Sequence, residues 1–153
     1  MNQTRIVVPA LLDLTGLRLL FVGAGEGTRL KLSSLVDQNP LVRIVAPHLS
    51  PEVKTLAARL TDCQIFERNF VELDLDGIAL VFGFTDDPIL NARLADLCRL
   101  WGVWSNVAQN RGAMGFSSPA VARKDGVIAA FSSEAGKPAI SVAARDAWVG
   151  KKE

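Results

Sequence analysis

Apolar positions along the chain fall into two alternating kinds of segment. Short continuous runs, Leu17 to Val22, Leu41 to Ala46, Cys63 to Phe66, Ile78 to Phe84 and Val103 to Val107, have the length and punctuation of buried strands. Between them apolar residues recur at helical spacing among polar ones. Glu26 to Val36 carries Leu30, Leu32, Leu35 and Val36 in this way, and Asn39-Pro40 stops it. Ser50-Pro51-Glu52 is a helix start, with Ser50 able to cap and Pro51 at the first helical position; Val53, Leu56, Ala57 and Leu60 would face inward. Asp87-Pro88 opens a third helix with Leu90, Leu94, Leu97 and Cys98 on one face, and Gly102 ends it. Strands alternating with helices over short connections predict a parallel sheet covered by helices on both faces, with Ile78 to Phe84 as its best candidate for a central strand.

The pattern then changes. Pro119 to Arg123 and Val127 to Phe131 flank Lys124-Asp125-Gly126, and Asp-Gly between two apolar runs predicts a hairpin. A last helix is expected from Pro138 through Ala143 and Ala144 to Trp148. The reading is one α/β domain over 1–153, made of a sheet region to about residue 115 and a hairpin-and-helix extension over about 116–153.

Composition narrows what such a domain does. At 153 residues one core is enough. Lys plus Arg is 17 against 16 for Asp plus Glu, so the basic excess of a nucleic-acid binder is missing and no nucleic-acid partner is expected. No uncharged apolar run nears the roughly 18 residues of a membrane span, and the N-terminus lacks the plan of a secretory signal. A cytoplasmic protein without a membrane partner is expected. Cys63 and Cys98 form no CxxC pair and no zinc-like set with a histidine, so reduced structural thiols and no metal site are expected.

The candidate chemistry sits at Gly23-Ala24-Gly25, directly after the first strand and before the first helix. There the first glycine allows a tight turn and the second lets backbone approach a pyrophosphate, which the helix N-terminus attracts. Gly27 and Thr28 follow; Thr28 is larger than the Gly or Ala usual at the third fingerprint position, so looser helix–strand packing is expected. The second strand ends in Val45-Ala46-Pro47-His48 without the carboxylate that normally holds a ribose. Either backbone groups hold the ribose, or the site is not a dinucleotide site.

Several stretches together resemble one family. They are Val22-Gly-Ala-Gly-Glu26, Ile44-Val-Ala-Pro47 with Leu49-Ser50-Pro51, Phe84-Thr-Asp-Asp-Pro88 with Asn91, Asn106-Val107, Phe116 with Pro119, and Phe131-Ser-Ser133 with Gly136 and Pro138. In order and spacing the chain resembles the precorrin-2 dehydrogenase/sirohydrochlorin ferrochelatase family, the N-terminal domain of siroheme synthase, as a short divergent member. The resemblance implies a Rossmann-like fold and NAD-dependent oxidation of precorrin-2 to sirohydrochlorin, with iron insertion to siroheme in many members. It implies a tetrapyrrole substrate and leaves homodimerisation open. By position, Gly23, Ala24, Gly25, Glu26 and Gly27 would lie against NAD, Pro47 and His48 along its ribose, and Thr85 near the nicotinamide half.

Where the family usually has an acidic residue implicated in the chemistry, this chain has Gln109, which neither takes a proton nor offers a charged ligand. Met114-Gly115-Phe116 replaces the Cys-Asp-Phe often seen nearby. The family's C-terminal helical region would begin where this sequence stops and is expected to be missing. Dehydrogenase activity with ferrochelatase weak or lost is therefore one reading; a non-catalytic NAD- or tetrapyrrole-binding carrier, regulator or partner subunit is another, and a generic nucleotide-sensing module a third. His48 reads as a solvent-facing turn residue or a donor to cofactor. Asp87, and less so Asp86, reads as a helix cap or as one of a carboxylate pair. Arg29, Lys31 and Arg111 read as solvated charges or as partners of an acidic tetrapyrrole. Trp101, Trp104 and Trp148 read as core or interface residues, and Ser132, Ser133, Gly136 and Lys137 as an anion loop or a plain capped helix start.

Overall fold

The computed structural model describes residues 8–109, 115–133 and 137–150. The chain divides into two compact units, residues 1–115 and 116–153.

In the first unit five strands alternate with three helices: β1 (Arg18–Val22), α1 (Glu26–Ser33), β2 (Leu41–Val45), α2 (Pro51–Ala57), β3 (Cys63–Phe66), β4 (Ile78–Gly83), α3 (Pro88–Trp101) and β5 (Trp104–Val107). All pairings are parallel, in the order β3-β2-β1-β4-β5. β4 is an interior strand as expected, and β1 takes the middle. Its Leu19, Leu20, Phe21 and Val22 are all buried, which requires cover on both faces. On one face Leu20, Val22, Val45, Val81 and Val107 form a single cluster with Leu94, Leu97 and Cys98 of α3. On the other, Phe21 stacks on Phe82 at 4.9 Å and α1 and α2 pack together. The predicted doubly covered parallel sheet is therefore what forms. Among the described residues no helix is long and apolar enough to cross a membrane.

Local signals set most helix ends. The Ser50 hydroxyl accepts from the Val53 N–H at 3.3 Å with Pro51 beginning α2, and the Asp87 carboxylate accepts from Ile89 and Leu90 N–H with Pro88 beginning α3. Gly102 closes α3 at φ 67. One boundary differs from expectation. α1 stops at Ser33, because the Ser33 and Ser34 hydroxyls bond back to Leu30 O and Lys31 O, and a 3-10 turn over Val36–Gln38 follows. Leu32 and Val36 are buried but Leu30 remains exposed. Cys63 and Cys98 are free thiols that burial pushes up to about 11, so both stay protonated at neutral pH.

A second 3-10 turn, Glu72–Leu75, carries the sheet across to β4. Its buried Asp74 accepts two hydrogen bonds from the Arg68 guanidinium at 2.6 and 2.8 Å and one from Val71 N–H at 2.9 Å. Burial alone would raise this carboxyl; Arg68 and the Val71 amide outweigh it and hold the group below its ordinary value. A carboxylate with a depressed folded pKa contributes stability above its unfolded value near 3.9, and loses it as pH falls through the lower folded value. Asp74→Asn should therefore destabilise at pH 7 by about 1–3 kcal/mol and by less at pH 3, below the ordinary carboxylate value. Urea denaturation at the two pH values checks this, and an equal loss at both would contradict it.

In the second unit β6 (Ala120–Lys124) and β7 (Val127–Phe131) pair antiparallel, and α4 (Pro138–Val149) follows. The hairpin turn is the predicted Asp125-Gly126, both left-handed at φ 51 and 77, as a two-residue turn that matches strand twist requires. Trp148 of α4 lies 6.2 Å from Phe131 of β7. The tryptophans are not core residues: Trp101 and Trp148 are about two-fifths exposed and Trp104 more than half.

Candidate nucleotide-binding site

The strand order reverses between β1 and β4, and it is there, beyond the C-terminal ends of the two strands, that the glycine turn lies. Gly23 takes φ 92, and a Cβ on it would stand 2.4 Å from Phe84 O and 2.8 Å from Phe84 C. Only glycine allows the turn to pass that close to the end of β4. Backbone bonds pin the turn on both sides: Gly23 N–H to Val45 O at 3.0 Å, Phe84 N–H to Val22 O at 2.8 Å and Ser50 N–H to Ala24 O at 3.2 Å.

Thr28 does not loosen this packing. It is fully buried, and its hydroxyl donates to Gly23 O at 2.6 Å, so the side chain that looked too large locks helix to turn. Gly27 makes the close contact instead, where a Cβ would stand 3.0 Å from the Phe84 side chain.

Gly25 has the opposite surroundings. It is the N-cap of α1, extended at φ -95, and a Cβ there would meet nothing within 4 Å. Among the described residues no side chain caps α1. Uncapped amides behind an open glycine are what a pyrophosphate needs, so the donor set fits a dinucleotide. Glu26, at the first helical position, brings a negative charge to the same end. Its carboxylate is tied to Arg29 by two bonds of 2.6 Å, and Arg29 holds it below its ordinary value and offsets the charge. Arg29 is thus occupied within its own helix.

Pro47 and His48 are exposed in the turn after β2, joined to the glycine turn through the Ser50–Ala24 bond. Thr85 follows β4. Buried Asn91 of α3 fixes it: Asn91 Nδ2 donates to Thr85 O at 2.8 Å, and Asn91 Oδ1 accepts from Thr85 N–H at 3.3 Å and lies 2.8 Å from Thr85 Oγ1. Thr85 Oγ1 also accepts from Asp87 N–H at 3.2 Å. Asp87 is thereby a cap rather than half of a carboxylate pair. The positioning role of Asn91 had no signal beyond its place in the family-like stretch.

Gln109 stands two residues beyond β5, exposed and left-handed at φ 60. Because Gly83 pairs with Val107, Thr85 and Gln109 leave adjacent strands at the same end of the sheet. The Ser133 hydroxyl accepts from Lys137 N–H at 2.6 Å, so that loop contains its own capping bond. Arg111, Met114 and Gly136 lie outside the described residues. Among the described residues no three His, Cys, Asp or Glu side chains gather to hold a metal.

A glycine turn against an uncapped helix N-terminus, at the switch point of a parallel sheet, defines a nucleotide-binding α/β protein. Residues 10–120 match a family described as putative NAD(P)-binding, and the chain belongs to that family. The siroheme synthase of Azotobacter vinelandii is 32% identical over 138 residues, covering 88% of this chain and 29% of the relative. That of Pseudomonas fluorescens strain Pf0-1 is 33% identical over 135 residues, with the same two coverages. The chain thus spans under a third of the length of the curated relatives it matches. Among solved structures, SirC, a precorrin-2 dehydrogenase, matches with TM-score 0.72 at 17% identity over 96% of this chain and 72% of its own, a likeness of fold. The resemblance to the precorrin-2 dehydrogenase/sirohydrochlorin ferrochelatase family drawn from the sequence is borne out.

Proposed function

We propose that the chain is an NAD-dependent dehydrogenase acting in the cytoplasm in siroheme synthesis, oxidising precorrin-2 to sirohydrochlorin, with ferrochelatase activity weak or lost. The observation that carries this reading is an open, uncapped glycine turn at the β1/β4 switch point, in a chain about one-third identical to siroheme synthases along most of its length. A bound nicotinamide dinucleotide supplies a hydride acceptor. The chain's own part is placement. The amides around Gly25, Glu26 and Gly27 face the pyrophosphate, and the Ala46-Pro47-His48 turn flanks the ribose without an Arg for a 2′-phosphate, which favours NAD over NADP. Asn91 holds Thr85 at the nicotinamide end.

Oxidation of precorrin-2 removes a hydride and a proton. Gln109 cannot accept the proton, so it passes to water. A positioned base contributes about 100- to 10,000-fold. The test is sirohydrochlorin formation from precorrin-2 and NAD, with Gln109→Asp alongside. Slow turnover by the wild type, at least about 100-fold faster in the variant, is expected. Activity in the variant alone would favour the second reading, a non-catalytic NAD- or tetrapyrrole-binding relative, which Gln109 itself motivates. No turnover by either folded protein would overturn the dehydrogenase reading.

A further inference from the structure

The ribose side of the glycine turn lacks the usual acid. β2 ends in Val45-Ala46-Pro47-His48, where a dinucleotide fold normally places a carboxylate to accept from the ribose hydroxyls. A carboxylate nevertheless reaches the same end of the sheet from the next element. Glu52 is the second residue of α2, exposed, and the acidic residue of its first turn. Two bonds fix where that turn stands. The Ser50 N–H donates to Ala24 O at 3.2 Å, between Gly23 and Gly25, and the Ser50 hydroxyl accepts from Val53 N–H at 3.3 Å.

Charge pairing singles Glu52 out. Beyond the ends of β1 and β3, Glu26 is held by Arg29 and Glu67 pairs with Lys54 at 3.3 Å. Among the described residues Glu52 enters no ion pair and no side-chain hydrogen bond. It stands close to the mouth of α1 all the same: the hydrogen-bonded Glu26 raises the Arg29 pKa most, and the charge of Glu52 raises it further. Two carboxylates, Glu26 and Glu52, thus face one guanidinium beside the turn, which leaves the surface there negative. Residues 46–52 contain no Arg or Lys, and the two cations nearby, Arg29 and Lys54, are already engaged.

On the dinucleotide reading proposed above, we infer that Glu52 takes the place of the missing strand-end acid: its carboxylate accepts from the 2′-hydroxyl of the adenosine ribose and excludes a 2′-phosphate. A ribose hydroxyl has a proton to donate, and a hydrogen bond to a charged acceptor is among the stronger kinds. A phosphate ester at the same position offers no such donor and adds about two negative charges where the surface is already negative and no cation is free. Glu52 is therefore the residue that selects NAD over NADP. Its carboxylate comes from the start of α2 rather than from the end of β2.

The test titrates wild type and Glu52→Gln calorimetrically with NAD, with NADP and with NAD lacking the adenosine 2′-hydroxyl. Wild type should prefer NAD to NADP. Glu52→Gln should weaken NAD binding by about 10-fold and raise the ratio of NADP to NAD affinity by at least as much. Wild type should bind the deoxy analogue about 10-fold more weakly than NAD, whereas the variant, without a charged acceptor for that hydroxyl, should bind the two alike. The melting temperature should change by no more than about 4 °C, because an exposed acid in a first turn adds little to a helix, so weaker binding cannot be put down to unfolding. An unchanged NADP-to-NAD ratio in the variant, or discrimination of the 2′-hydroxyl as strong as in the wild type, would overturn the assignment of Glu52 and leave the dinucleotide reading standing. Preference of the wild type for NADP would overturn the assignment together with NAD as the cofactor. Binding of neither dinucleotide by the folded wild type would overturn the dinucleotide reading and this one with it.

Discussion

Gly23→Ala is expected to cost about 2–5 kcal/mol of stability, the sum of left-handed backbone strain and forced overpacking. The alanine Cβ would sit 2.4 Å from the Phe84 carbonyl oxygen and 2.8 Å from its carbon, both backbone atoms just past the end of β4, so no side chain can swing aside. The melting temperature should fall on the order of 10 °C, and NAD binding should go with it, because turn and helix N-terminus shift together. Gly25→Ala is the matched control. Its Cβ meets nothing and its φ of -95 suits alanine, so stability should change by no more than about 1 kcal/mol, the difference between these residues at an N-cap. NAD affinity should nevertheless fall by about 10-fold or more, since a methyl would occupy the space left for the pyrophosphate. Thermal unfolding and NAD titration of the two variants settle it. Equal loss of stability in both would mean the turn is not built as described.

Asn91→Leu is the second large effect. Leucine matches asparagine in size but leaves the Thr85 amide and carbonyl without the partners that now lie at 3.3 and 2.8 Å. Each stranded polar group costs about 1–3 kcal/mol, for an expected loss of about 2–6 kcal/mol from the two. Hydrogen exchange at the Thr85 amide should accelerate along with it. If Thr85 orients the nicotinamide half, turnover should drop more than NAD affinity, because misplacement costs rate before it costs binding. Denaturation, exchange and steady-state kinetics on one variant separate these effects; unchanged stability and exchange would show that Asn91 does not hold the loop.

Local chemistry was readable from the sequence because it is written within a few residues. Ser50-Pro51, Asp87-Pro88, Gly102 and Asp125-Gly126 each announced a cap or a turn, and each forms as read. The runs of apolar residues announced strands for the same reason. Relations between distant segments were not readable. Thr28 looked oversized for a fingerprint because its hydroxyl's partner, Gly23 O, depends on how the helix docks. Asn91 looked like an ordinary helix residue until α3 packed beside the end of β4. Lys31 and Arg29 were indistinguishable as charges in a row, yet one is paired at the surface and the other is drawn in over an aromatic ring. Trp104, which spacing alone could equally have buried, stays exposed because its side chain lies on the face of β5 away from α3.

The reversal of strand order also governs when the site can come into being during folding. β1, α1, β2, α2 and β3 follow one another and can assemble from near neighbours, but Gly23 gains its neighbour Phe84, and Val22 its hydrogen bond from that residue, only after the chain has crossed back to lay β4 beside β1. Contacts so distant in sequence form slowly, because loop closure precedes their reward. The nucleotide seat is therefore a seam between an early half and a late half, and its occupancy registers whether the two have met.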